Sequence, residues 1–136
     1  MSIVANRDDQ VFAAWTQGGR DRQEDSYRLM LLDATRGEAS PIVLVVADGM
    51  GGQAGGNLAS EAAVDAFVGT VKRVAAETPA KRLRDGLDSA NAAIKRQVDA
   101  DTALQGMGTT LLGVELSDGL ARWISVGDSM LLLLRD

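Results

Sequence analysis

Apolar residues gather in short unbroken runs toward both ends of the chain and at helical spacing through its middle. Residues 11–16, which include Trp15, form the first run, residues 27–32 the second and residues 41–47 the third. The third is rich in β-branched side chains and lies between a proline and a glycine cluster. Runs of this length predict strands, with the third buried. Residues 33–40 hold Thr, Gly, Glu and Ser, which predicts a hairpin loop.

Beyond the glycines, from near Asn57, the period changes to that of a helix. Ala59, Ala62, Ala63, Ala66, Phe67, Val71 and Val74 share one face, while Glu61, Asp65, Lys72 and Arg73 take the other. Thr78-Pro79 reads as an N-cap followed by proline at the first helical position. A second amphipathic helix follows, with Leu83, Leu87, Ala90, Ile94 and Val98 on its apolar stripe. The pair predicts a helical hairpin packed on a sheet.

Strand signals return at residues 109–116, 121–126 and 130–134. Asp118-Gly119 between the first two is a hairpin turn signal. Strands, two consecutive helices, then strands again do not fit alternating βαβ units. The expected class is α+β, with residues 1–136 in one unit. The last run, 130–134, is followed only by Arg135-Asp136. It predicts a hydrophobic edge in need of cover, as in a truncated chain.

Composition limits the chemistry. Hydrophobic residues at 46% and charged residues at 24% exclude a disordered chain. A net charge of −5 gives no electrostatic reason to hold a phosphate backbone, so no nucleic-acid partner is expected. No apolar run approaches the length of a membrane span. Residues 1–10 carry Arg7, Asp8 and Asp9 instead of an apolar signal core, so no membrane partner and a cytoplasmic location are expected. Cys and His are both absent, which removes thiolate nucleophiles, His-based triads and zinc–sulfur or imidazole sites. Any metal must sit among oxygens, which favours Mg²⁺, Mn²⁺ or Ca²⁺.

The strongest local signal is Val45-Val46-Ala47-Asp48-Gly49-Met50-Gly51-Gly52. An Asp at the end of a buried strand, followed by glycines, presents a carboxylate at the mouth of a sheet where backbone can approach a ligand. An isolated Asp-Gly pair would more simply cap a turn. Gly49 to Ala54 also satisfies a dinucleotide-binding pattern. Three features oppose that reading: a second helix follows where a strand is needed, no strand-end acid comes at the ribose spacing, and Asp48 would crowd a pyrophosphate. A second cluster, Gly19-Arg20-Asp21-Arg22-Gln23-Glu24-Asp25, reads alone as a solvated turn. Glu24 and Asp25 would face opposite ways in a regular strand, so they share a site only at a strand end or bulge, or if one acts through water. Gly127-Asp128-Ser129 is the third cluster. Together Glu24, Asp25, Asp48 and Asp128, each at a predicted strand end, with Arg20 beside them, make a kit for a hydrated divalent-metal site with an anion clamp.

The ordered set resembles the PPM, or type 2C, metal-dependent serine/threonine protein phosphatases. Arg20 to Asp25, Val45 to Gly52 with Ala59-Ser60, Met107-Gly108-Thr109-Thr110 and Val126 to Ser129 look like four motifs of that family, in family order. The resemblance covers most of the chain from about Val11 and implies an antiparallel β-sandwich flanked by helix pairs, of which this would be the amino-terminal portion. It implies that Asp48 bridges two Mg²⁺ or Mn²⁺ ions and that the Gly49 carbonyl ligates one of them. Glu24 and Asp25 would bind or orient metal-held waters, Asp128 would serve a third, weaker position, and Arg20 would grip the phosphate of a phosphorylated protein substrate. Met50 stands where some members carry a His, and Met130 where an Arg often follows. Two further aspartates of the family's later half have no counterpart here. A chain of this extent is therefore expected to be poorly active alone and prone to self-association. The alternative is a non-catalytic binding or regulatory module on the same scaffold.

Overall fold

The computed structural model describes residues 2–5, 11–19, 21–33, 39–51 and 55–134. Among these residues seven strands and two long helices follow in order: β1 Ser2–Ala5, β2 Phe12–Trp15, β3 Asp25–Leu31, β4 Ile42–Met50, α1 Gly55–Arg73, α2 Pro79–Ala100, β5 Gly108–Thr109, β6 Leu111–Ser117 and β7 Leu120–Val126. Among the described residues, β1 and β2 form their own two-stranded antiparallel ladder. β1 is unforeseen, because four residues are too few for alternation to stand out. The main sheet is antiparallel in the order β3-β4-β6-β7, with β5 on the end of β4. Asp118 and Gly119 both adopt positive φ between β6 and β7, the turn geometry their sequence predicts. Most of the 33–40 loop lies outside the described residues, and its closing bond is Leu32 N–H to the Pro41 carbonyl at 2.9 Å.

Alternation gives the sheet two unlike faces. Val43, Val45 and Ala47 of β4 are buried against Ala63, Val64, Phe67 and Val71 of α1, with Leu83 and Ala90 of α2 in the same cluster. Phe67 wedges between Gly86 of α2 and Gly113 of β6, where a Cβ would clash with its ring. Val64 is fully buried while Ala62 and Ala66 are only half-buried. Ser60 and Thr70 extend the inward stripe, which turns it slightly from the purely apolar one. Thr78 caps α2 as expected, accepting from Lys81 N–H at 3.4 Å.

One buried charge pair was not legible. Arg82 of α2 donates from Nε to Glu115 of β6 at 3.0 Å and from a second guanidinium nitrogen to the other carboxylate oxygen. It also donates to the Ala75 carbonyl at 2.7 Å and to that of Glu77. The pair clamps the α1–α2 connection to the sheet.

Among the described residues, the opposite face carries no helix. Leu44, Val46, Leu112, Val114, Leu116 and Trp123 share it by register. Residues 130–134, predicted as a strand, form none. Leu131 to Leu133 instead line a shallow cavity of about 480 Å³ with Leu112, Leu116 and Trp123. An apolar run reports a need for cover, whereas a strand also needs a free edge alongside. Of the expected sandwich, the described residues therefore present the α+β half: the main antiparallel sheet with a helix pair on one side. Among the described residues no helix is long and apolar enough to cross a membrane.

Candidate metal and phosphate site

Asp48 lies inside β4, not at its end, because Gly49 and Met50 continue the strand by pairing with Thr109 and Gly108 of β5. Across the other ladder Asp25, the first residue of β3, is the register partner of Asp48. Two bonds fix the orientation of β3: Gly49 N–H donates to the Glu24 carbonyl at 3.1 Å, and Leu32 N–H to Pro41. Even-numbered residues of β3 thus exchange main-chain bonds with β4, and Asp25 with Asp48 is a non-hydrogen-bonded pair, with Cα atoms about 4.5 Å apart in such ladders. Their exposed side chains share the face that the helices leave open. Like charges directly opposite disfavour a sheet pairing, and a cation bound between them would offset that.

The backbone of Asp48 is held on its far side by threonines. Asp48 N–H donates to Thr110 Oγ1 at 2.9 Å, and the Asp48 carbonyl accepts from Thr110 N–H at 2.9 Å and Thr109 Oγ1 at 2.8 Å. Thr110 Oγ1, which accepts from Asp48, also shares a hydrogen bond with Ser129 Oγ, 2.8 Å away. The Gly127-Asp128-Ser129 turn is thereby tied to Asp48 through one hydroxyl. Gly127 has φ +95°, and a Cβ there would lie 2.7 Å from Thr110 Cγ2. Only glycine lets the turn approach so closely.

Glu24 turns the other way, as strand alternation requires. Its carboxylate lies by Gly56 in the first turn of α1, where a Cβ would be 2.8 Å from Oε1, an end of the helix that favours negative charge. A Cβ on Gly49 would collide with the Gly56 carbonyl, so these two glycines let β4 and α1 meet. Gln23 Oε1 accepts from Glu24 N–H at 3.1 Å and Asp25 N–H at 3.4 Å. Ser26 Oγ and Ser60 Oγ, 3.0 Å apart, join β3 to α1.

The structure thus brings Asp25, Asp48 and the Gly49 backbone together, sets Glu24 behind them, and anchors the exposed Asp128 turn to the same strand end. Arg20 lies outside the described residues, as do residues 52–54. The threonines, Ser129 and Gln23 carry positioning roles that sequence reasoning did not assign, although Thr109-Thr110 and Ser129 stood in quoted motifs. Among the described residues no three carboxylates gather into a cage. The donors fit a hard divalent ion in kind, two facing carboxylates and a backbone carbonyl, and supply part of its shell.

Fold and site together define a class: an antiparallel α+β scaffold that gathers oxygen donors on the sheet face away from its helices. A family model described as Protein phosphatase 2C matches residues 20–136, and the chain belongs to that family. It is 37% identical over 98 residues to the serine/threonine protein phosphatase PstP of Mycobacterium tuberculosis, covering 69% of this chain and 18% of that protein. It is 36% identical over 98 residues to the serine/threonine phosphatase Stp of Listeria monocytogenes, covering 69% and 39% respectively. The crystal structure of the PstP catalytic domain in complex with two manganese ions superposes with a TM-score of 0.56 at 26% identity, over 76% of this chain and 47% of that one. The chain spans less than half the length of these relatives.

Proposed function

We propose that the chain forms one side of the active centre of a Mg²⁺- or Mn²⁺-dependent protein phosphatase acting on phosphoserine and phosphothreonine in proteins. The observation that supports this reading most is the pairing of Asp25 with Asp48 on the open face. Asp48 and the Gly49 carbonyl would hold the ions, with Asp25 and Glu24 orienting water, Asp128 serving a third, weaker position and Arg20 gripping the phosphoryl oxygens. When bound, the ions supply an acidified water and offset charge on the phosphoryl group during in-line attack. The chain's own contribution is placement. Thr109 and Thr110 fix the Asp48 backbone, and Gln23 fixes the start of β3. This chain has no imidazole to offer as a general acid.

The test is phosphate release from a phosphothreonine peptide by the chain completed to the length of its relatives' catalytic domain, with Mn²⁺ added and then removed by chelation. Release that depends on Mn²⁺, is lost in Asp48→Asn and shows a raised KM in Arg20→Ala supports the reading. Release indifferent to the metal or to Asp48 overturns it. A scaffold that binds without hydrolysing is the second reading, supported by the absence of a three-carboxylate cage among the described residues. It predicts peptide binding with no release in either condition.

A further inference from the structure

The outer edge of β3 has a chemistry that the metal site does not use. Because residues 24 and 32 bond toward β4, residues 25, 27, 29 and 31 turn their N–H and C=O groups away from the sheet. Two contacts agree with this: Asp25 N–H is taken by Gln23 Oε1, and the Tyr27 carbonyl accepts from Arg28 at 2.9 Å. Among the described strands β3 pairs with β4 alone. A cleft of about 430 Å³ runs along this edge, lined by Trp15, Gln23, Glu61 and every residue from Asp25 to Leu29. Consecutive strand residues point to opposite faces, so a cleft that touches five in a row follows the backbone edge itself.

We infer that an extended segment of the phosphoprotein substrate docks here as an added strand, placing its phosphorylated residue at Asp25 and Asp48. The inference rests on the phosphatase reading and names how substrate is held. Three observations favour this occupant. The cleft is lined by Asp25, whose register partner on β4 is Asp48, so a strand laid along β3 passes beside one of the two paired carboxylates. Gln23 Nε2 is buried at the cleft wall without a hydrogen-bond partner. Its Oε1 is held by two N–H groups, so the amide is oriented and Nε2 awaits an acceptor such as a peptide carbonyl. Glu61 also lines the cleft, which favours Lys or Arg beside the phosphorylated residue. Main-chain bonds would supply affinity, with Trp15 and Tyr27 as apolar walls.

The test uses an extended phosphothreonine peptide with basic flanks, added to the ¹⁵N-labelled chain, and hydrogen exchange at the Tyr27 and Leu29 amides. Slowed exchange at both is expected. Peptides N-methylated at alternate backbone positions should bind about three- to tenfold more weakly when the bonding set is blocked and normally when the other set is. Leu29→Pro removes an outward N–H and spares the β4 ladder, as edge strands tolerate, and should weaken peptide binding similarly. The N-methyl series keeps the test decisive if that variant does not fold. Peptide-induced changes confined to Trp123 and Leu132, N-methyl effects without alternation, or protection of Tyr27 and Leu29 that rises with protein concentration alone would each overturn the inference, the last by showing that two copies pair. A response of Asp48 to Mn²⁺ without peptide protection of β3 also overturns it, and leaves the phosphatase reading standing. Protection of β3 without any response to Mn²⁺ supports the docking edge and counts against the metal reading.

Discussion

Asp25 and Asp48 face each other directly across the β3–β4 ladder, on the side of the sheet that the helices do not cover. In the proposed metal site a cation would offset the repulsion between these two carboxylates. Asp48→Asn should therefore raise metal-free stability by up to about 1 kcal/mol, since one of two opposed charges is removed. The same variant should lose the rise in Tm that Mn²⁺ gives the parent. Parallel thermal melts with and without Mn²⁺ check both signs, and an unchanged Mn²⁺ response would remove Asp48 from the site.

Thr110 links two motifs through a single hydroxyl. Thr110→Val keeps the shape but strands Asp48 N–H and frees the Ser129 turn, at a cost of about 1–3 kcal/mol. Mn²⁺ affinity should fall as well, because the backbone carrying Asp48 loses its lateral bond. Denaturant titration gives the first quantity and calorimetry the second. Thr110→Ser retains the hydroxyl and should restore most of both.

Much of this architecture was legible and some was not. Helix α2 could be read from its Thr78-Pro79 start and its apolar stripe, and the β6–β7 hairpin from Asp118-Gly119, because both signals are local. The Asp25–Asp48 pairing was not readable, since register is set between strands distant in sequence. The opposite facing of Glu24 and Asp25 followed from alternation alone. Residues 130–134 misled because an apolar run reports burial and not pairing. Glu115 sits inside an apolar run and Arg82 among helix charges, and nothing in either neighbourhood announces a partner thirty-three positions away.

That buried pair gives a prediction remote from the metal. Glu115→Ala would leave Arg82 almost fully buried with no carboxylate, a change that typically costs about 3–5 kcal/mol. Chemical denaturation should show the loss, while Mn²⁺ affinity of the remaining folded protein stays at the parental value. Replacing both partners, as Arg82→Met with Glu115→Leu, should recover most of the stability. A single variant of near-parental stability would show that the clamp contributes little.

The uncovered face predicts association. Trp123 is 60% exposed, and Leu132 and Leu133 are each 75% exposed, a concentration of apolar surface that marks an interaction site. Light scattering should show dimers or larger species at micromolar concentration, reduced by Trp123→Lys or Leu132→Glu. A monomer at all concentrations would contradict this expectation.

The most direct test of the central claim is a Mn²⁺ titration of the ¹⁵N-labelled chain, reading paramagnetic broadening residue by residue. A shared cation site predicts that the amides of Asp25, Asp48 and Gly49 broaden first, with Glu24 and Thr110 next and Asp128 at higher concentration. Broadening that starts instead at the exposed acids of the helices, such as Asp65 or Asp88, and leaves Asp48 sharp would contradict it.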